Sequence, residues 1–273
     1  TNIGDNTMAA TATGPFRQTN RGTHETRAFY SGARQDYDQE IVTVVADDFF
    51  FRPNYVTTTA DLTATTAVKN ASWLLLFDGA GTSQGITIED TAGGVMKIAS
   101  DSTATSKGAV LTNYAEIFKP TASKTAWAKA KVALEDVDKS TFFFGLAKRP
   151  GTFTTSAHPV AAGNPKIGFG SMTASSTSLS WISSATGTSS ATCTTLADYV
   201  ATTGVGFVTL GLRVNGTSSV DFFLDDKFVT SVSTAANIPS EELALFLVQG
   251  NATSGAATTQ SLFVDYINVD VTK

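Results

Sequence analysis

The sequence predicts an all-β protein, a two-sheet antiparallel sandwich with an extended N-terminal arm, and three observations carry that reading. Ser and Thr together make up about a quarter of the 273 residues, and Phe is abundant at 18. Branched and aromatic side chains pack well on a pleated surface. From residue 41 onward, short apolar segments recur with Gly, Pro, Asn and Asp between them, which is the rhythm of a sandwich or barrel. No stretch sustains a long 3.6-residue period, and the best helical candidates, 195–200 and 240–243, are short. A chain of this length that is 42% hydrophobic can bury one sizeable core.

Residues 1–40 stand apart. Their apolar residues, among them Phe16, Phe29, Tyr30 and Tyr37, are isolated, and Arg17, Arg21, Arg27 and Arg34 alternate with Asp and Glu. Alone, such a segment cannot bury enough surface to offset its ordering entropy. We expect an assembly arm that packs outside its own core. The four aromatic residues would be its anchors, and the four arginines would supply planar donors to a partner.

The sandwich is expected over 41–273. Its first strands fall at 41–45, 73–77, 85–89, 95–99, 114–118, 125–134 and 141–147. The later ones fall at 166–170, 178–182, 206–214, 220–224, 228–232, 243–248 and 262–269. In 125–134, Ala126, Ala128, Ala130 and Val132 share one face, and Trp127, Lys129 and Lys131 share the other. Trp127 is therefore the aromatic residue expected at an exposed or interfacial position. Val208, Leu210, Leu212 and Val214 form one face of the next regular strand. Asn215-Gly216 then signals a hairpin, because both residues tolerate φ > 0. A second tight turn is expected at Asp225-Asp226-Lys227. In the last strand, Leu262, Val264 and Tyr266 are expected opposite Phe263, Asp265, Ile267 and Val269.

Charge narrows the function. Net charge is −5 and the pI is about 5.0, against the basic footprint of a nucleic-acid binder. No apolar run approaches the roughly 20 residues that span a bilayer. The first 28 residues are polar throughout, so no signal peptide is expected. Cys193 is the single cysteine and cannot form an internal disulfide. His24 and His158 sit in no motif.

Four segments carry a family resemblance: Asp47-Asp48-Phe49, the stretch 125–149 ending in Phe-Gly-Leu-Ala-Lys-Arg, the paired strands of 206–232, and 261–271 with Val264-Asp265-Tyr266. Together they resemble the concanavalin A-like family, which includes legume lectins, laminin-G domains and laminarinases, over roughly residues 46–273. The resemblance implies a jelly roll of two curved antiparallel sheets. Its glucanases carry a Glu-x-Asp-x-x-Glu strand, whose alternate residues share a face and supply the two carboxylates of retaining hydrolysis. Here Glu135-Asp136-Val137-Asp138 comes nearest, with no Glu following on the same face. We read it as a solvated turn and expect no enzyme activity and no catalytic residues.

The resemblance also implies lectin function, in which Ca²⁺ is held by Asp and Asn oxygens beside an aromatic ring. Calcium wants six to eight oxygens, and no dense Asp/Asn loop is present, so no cofactor site can be placed. Trp73, Trp127 and Trp181 are candidates to stack on a sugar, with core packing as the alternative. An acidic, Thr/Ala-rich, cysteine-poor sandwich with a long arm resembles tailed-bacteriophage structural proteins. That likeness implies a capsid decoration or cement protein, a homo-oligomer bound to the major capsid protein or another virion protein. The alternative is a lectin-like glycan- or receptor-binding module.

Overall fold

The computed structural model describes residues 41–47, 55–58, 73–77, 85–89, 94–99, 108–112, 116, 118–149, 164–171, 177–185, 188–251 and 260–272. The arm, 1–40, with all eight of its expected contact residues, lies outside the described residues.

Sixteen strands are described: β1 (Ile41–Asp47), β2 (Tyr55–Thr58), β3 (Trp73–Phe77), β4 (Gly85–Glu89), β5 (Val95–Ala99), β6 (Gly108–Thr112), β7 (Thr125–Leu134) and β8 (Ser140–Ala147). They continue as β9 (Lys166–Ser171), β10 (Ser178–Ser184), β11 (Thr188–Thr195), β12 (Val208–Asn215), β13 (Ser219–Leu224), β14 (Lys227–Val232), β15 (Ala244–Asn251) and β16 (Ser261–Thr272). They form two sheets. The first runs β14-β13-β12-β7-β16-β5-β4, with β1 also paired to β16. The second runs β11-β10-β9-β8-β15-β6-β3-β2. Every described pair is antiparallel except β2 with β3.

The core lies between the sheets. The first sheet contributes the Ala126, Ala128, Ala130 and Val132 row of β7, Val208, Leu210, Leu212 and Val214 of β12, and Phe222 of β13. The second contributes Phe142, Phe144, Phe169, Leu245 and Leu247. The small alanine row leaves room for the phenylalanines opposite. Phe169 meets Phe222 edge-on at 5.4 Å between ring centres, a favoured aromatic arrangement. Each buried Phe or Leu contributes about 1.5–3 kcal/mol of transfer free energy.

Several expectations need correction. β2, β6 and β11 have no counterpart among the expected strands. The described strand nearest the expected 114–118 is β6, which ends at Thr112; most of 114–118 lies outside the described residues, and Phe118 exchanges two hydrogen bonds with Leu243 in an isolated bridge. Neither helical candidate is a helix. The Tyr199 amide donates to the Leu134 carbonyl, and Leu243 is held by Phe118, so these segments take their backbone bonds from distant strands.

The Asn215-Gly216 hairpin exists, but its loop has three residues, 216–218, between the paired Asn215 and Ser219. Gly216 alone in it has positive φ, at 55°. The Asp225-Asp226 turn has both residues at positive φ, 47° and 63°, the conformation of a type I′ turn that Asp tolerates. In β16 the register shifts between Val264 and Tyr266. Asp265 is the extra residue of that bulge, so Tyr266 faces outward with Phe263 and Ile267 turns into the core.

Candidate binding face

β7 sits at the centre of the first sheet, and its alternation decides what that sheet shows on its far side. With the alanines inward, Trp127, Lys129 and Lys131 point away from the core. Pairing sets Arg213 and Asp270 beside Trp127 on its two sides, with Asp221 beyond Arg213.

At one end, Asp221 is 6% exposed and fully engaged. Its Oδ2 accepts from Arg213 Nε at 2.9 Å, Arg213 Nη2 at 2.6 Å and Asn215 Nδ2 at 2.9 Å. Its Oδ1 accepts from Ser231 Oγ at 2.6 Å. A charge this buried persists because it is paired and hydrogen-bonded. Asn215, beyond its turn, thus helps to hold a carboxylate.

Toward the other end, cations and rings alternate. Lys129 Nζ lies 2.9 Å from Asp226 Oδ1 and 5.7 Å from the Tyr266 ring centre. Lys131 Nζ donates to Asp265 Oδ2 at 2.6 Å and lies 5.2 Å from the Phe207 ring. Lys97 lies 3.6 Å from Glu89 and 5.5 Å from the Phe263 ring. Tyr199 joins Phe207 and Phe263, with ring centres at 5.2 and 4.1 Å. Burial, with the Glu89 and Asp265 carboxylates nearby, pushes the Tyr199 phenol above its ordinary value of 10.0. The loop carrying Tyr199 is tied down by Asp198 Oδ1, which accepts from the Val137 amide at 2.9 Å. Its tip exposes Val200 and Val205, paired with each other. Phe228, 60% exposed, stacks edge-on against Phe223 at 5.8 Å.

Trp127 lies on the expected face, but it is 5% exposed. That corrects the expectation of an exposed aromatic residue at this position, which sits in the middle of the sheet with β12 and β16 paired on either side. Trp181 is partly buried against the core, 5.4 Å from Phe222, and the side chain of Trp73 lies outside what is described. Among the described residues, Tyr199, Phe207, Phe223, Phe228 and Tyr266 reach this surface, and the sequence reading named none of them as a candidate site residue. Phe223 and Phe228 flank a turn already recognised, and their outward parity was available from it.

Glu135-Asp136-Val137-Asp138 is the turn expected of it. Val137–Lys139 form a single 3-10 turn, Asp136 accepts from the Asp138 amide, and Lys139 Nζ reaches Asp136 at 2.5 Å. Asp221 and Asp270 share the outward face, but three strand spacings separate β13 from β16, about 14 Å. Glycosidase carboxylates stand about 5–9.5 Å apart. Among the described residues, no three His, Cys, Asp or Glu gather as a metal site.

No family model matches the chain, and no curated protein matches it. Solved structures do. It is similar to the endo-1,3-β-glucanase of Streptomyces sioyaensis at a TM-score of 0.51 and 16% identity, covering 85% of this chain and 96% of that one. It is similar to the endo-β-1,3-glucanase of Pyrococcus furiosus at 0.53 and 12%, covering 87% and 97%. Likeness at this identity is likeness of fold: the chain is a concanavalin A-like jelly roll, an architecture that hosts hydrolases and binding domains alike.

Proposed function

We propose that this chain is a non-enzymatic structural module of a tailed-bacteriophage virion, a capsid decoration protein that grips the outer capsid surface through residues 1–40. One observation supports the non-enzymatic part most. On the outward face of the first sheet, the carboxylates of Asp221, Asp226, Asp265 and Glu89 are each held by a cation. A general acid or nucleophile needs a carboxyl group free to change charge; these are committed to holding the surface together. The virion assignment draws on the acidic, cysteine-poor composition and the long arm. A folded body with a long arm can lock neighbours by summing many weak contacts.

The test compares the full chain with one starting at Ile41. In the parent phage, purified heads should carry the full chain and lack the shortened one, while the shortened protein remains folded by circular dichroism. Normal incorporation without the arm would overturn the reading.

A lectin-like module is the second reading, favoured by the Tyr199, Phe207 and Phe263 cluster beside Lys131 and Lys97. Saturable binding of a glycan by the shortened chain, lost on Tyr199→Ala, would establish it.

A further inference from the structure

Asn215-Gly216 is the only Asn-Gly pair in the sequence. An asparagine side chain is at its most reactive before glycine, because a residue without Cβ leaves its backbone nitrogen unshielded and the chain around it free to turn. That nitrogen attacks the asparagine Cγ. A new N–C bond closes a succinimide ring, and the Cγ–Nδ2 bond breaks, with the glycine amide proton leaving on ammonia. Water then opens the ring at either carbonyl, to give aspartate or isoaspartate.

The fold holds both reacting groups back from this step. Asn215 is the last residue of β12, paired to Thr125 on one side and to Ser219 on the other. Its Nδ2 donates to Ser219 Oγ at 2.9 Å and to Asp221 Oδ2 at 2.9 Å. A carboxylate only accepts, so the nitrogen of the amide, and not its oxygen, must face Asp221. An extended residue whose amide is held across the hairpin cannot swing Cγ back onto the next backbone nitrogen. Gly216 is confined as well: its φ is 55°, and a Cβ there would stand 2.6 Å from the Thr121 carbonyl oxygen. The Ser218 amide closes the turn on the Asn215 carbonyl at 3.0 Å.

We propose that Asn215 is a latent deamidation site, which reacts when the β12–β13 hairpin opens locally and, once converted, cannot close as before. The same clasp that delays the reaction makes it one-way. Conversion puts a carboxylate oxygen where Nδ2 donated, against Asp221, which is 6% exposed and has Arg213 as its cation. Two anions then meet with no proton between them. Isoaspartate also lengthens the main chain by one carbon and breaks the Asn215–Ser219 register. Residue 215 thus records how often this end of the first sheet has opened.

Peptide mass spectrometry on the full chain, held at mildly alkaline pH, reads the amide-to-acid mass gain and the isoaspartate fraction at residue 215. The folded chain should convert about tenfold or more slowly than the same chain in guanidinium, since only the opened fraction reacts. Ser219→Ala and Asp221→Ala, each folded by circular dichroism, should speed conversion, Asp221→Ala the more. Asn215→Asp should lower the urea midpoint further than Asn215→Ala, which loses the same bonds without adding a charge. Conversion as fast in the folded chain as in guanidinium overturns the proposal. So does a residue 215 that stays unconverted in guanidinium, or a rate that neither variant raises. An Asn215→Asp chain no less stable than Asn215→Ala overturns the one-way step.

Discussion

On the outward side of β7, lysines alternate with inward alanines and stand in ion pairs. On the outward side of β8 and β15, Phe143, Phe246 and Val248 are as deeply buried as any core residue. The first sheet therefore has one dry face and one polar face, while the centre of the second is apolar on both. Polar groups beside the buried centre of the second sheet bear the cost: Lys166 on β9 is 4% exposed, and burial holds its amine below its ordinary value. The contrast teaches where each sheet tolerates change. The first can exchange outward side chains as long as its charges stay paired; the second is fixed by close approach of its backbones.

The largest effect expected from this contrast lies at Gly168. It pairs with Gly145, and a Cβ there would run into the Phe144 carbonyl oxygen, with Phe143 Cε2 2.9 Å away. Gly168→Val should cost about 3 kcal/mol or more, because backbone atoms cannot yield as side chains do. Gly85 in the first sheet has nothing within 4 Å of such a Cβ. Gly85→Ala should stay within about 0.5 kcal/mol. Equal urea midpoint shifts for the two would break the comparison.

The same contrast explains what the sequence disclosed. β7, β12 and β13 alternate cleanly, and their strands and inward rows could be read directly. β8 and β15 are apolar at nearly every position, so their existence was legible but their facing was not. β11 was missed because an edge strand of Ser and Thr buries little and shows no apolar period. β16 was placed correctly but misread past Val264, since a bulge inverts parity without leaving a mark in composition. At the candidate site, the lysine row was legible from β7 alone. Its partners Asp226 and Asp265 come from a turn and a bulge, and only the fold unites them. Burial of Trp127 likewise depends on strands distant in sequence.

Within the first sheet, Arg213→Ala should cost about 3 kcal/mol, since it leaves the buried Asp221 carboxylate without its cation. Lys97→Ala, in a pair exposed by 31% and 40%, should cost about 0.5 kcal/mol or less. Denaturant unfolding of both variants checks the ordering, and a larger loss for Lys97→Ala would contradict it. Gly216→Val should cost on the order of 1 kcal/mol or more, as a β-branched residue resists positive φ.

The smallest effect is spectroscopic. The Tyr199 phenol is held protonated above its ordinary pKa, so stability should decline from about pH 10 upward as the unfolded chain ionises first. Tyr199→Phe should flatten that decline and remove one late phase from the ultraviolet phenol titration. An unchanged titration would detach Tyr199 from its buried cluster.

We propose that the carboxylates of this jelly roll hold a surface together and do no chemistry. Reducing-sugar release from a β-1,3-glucan, measured with the full chain across the pH range in which it stays folded, tests it most directly. No release above the protein-free rate is expected. Turnover that disappears on Asp221→Asn or Glu135→Gln, with the fold intact by circular dichroism, would contradict it.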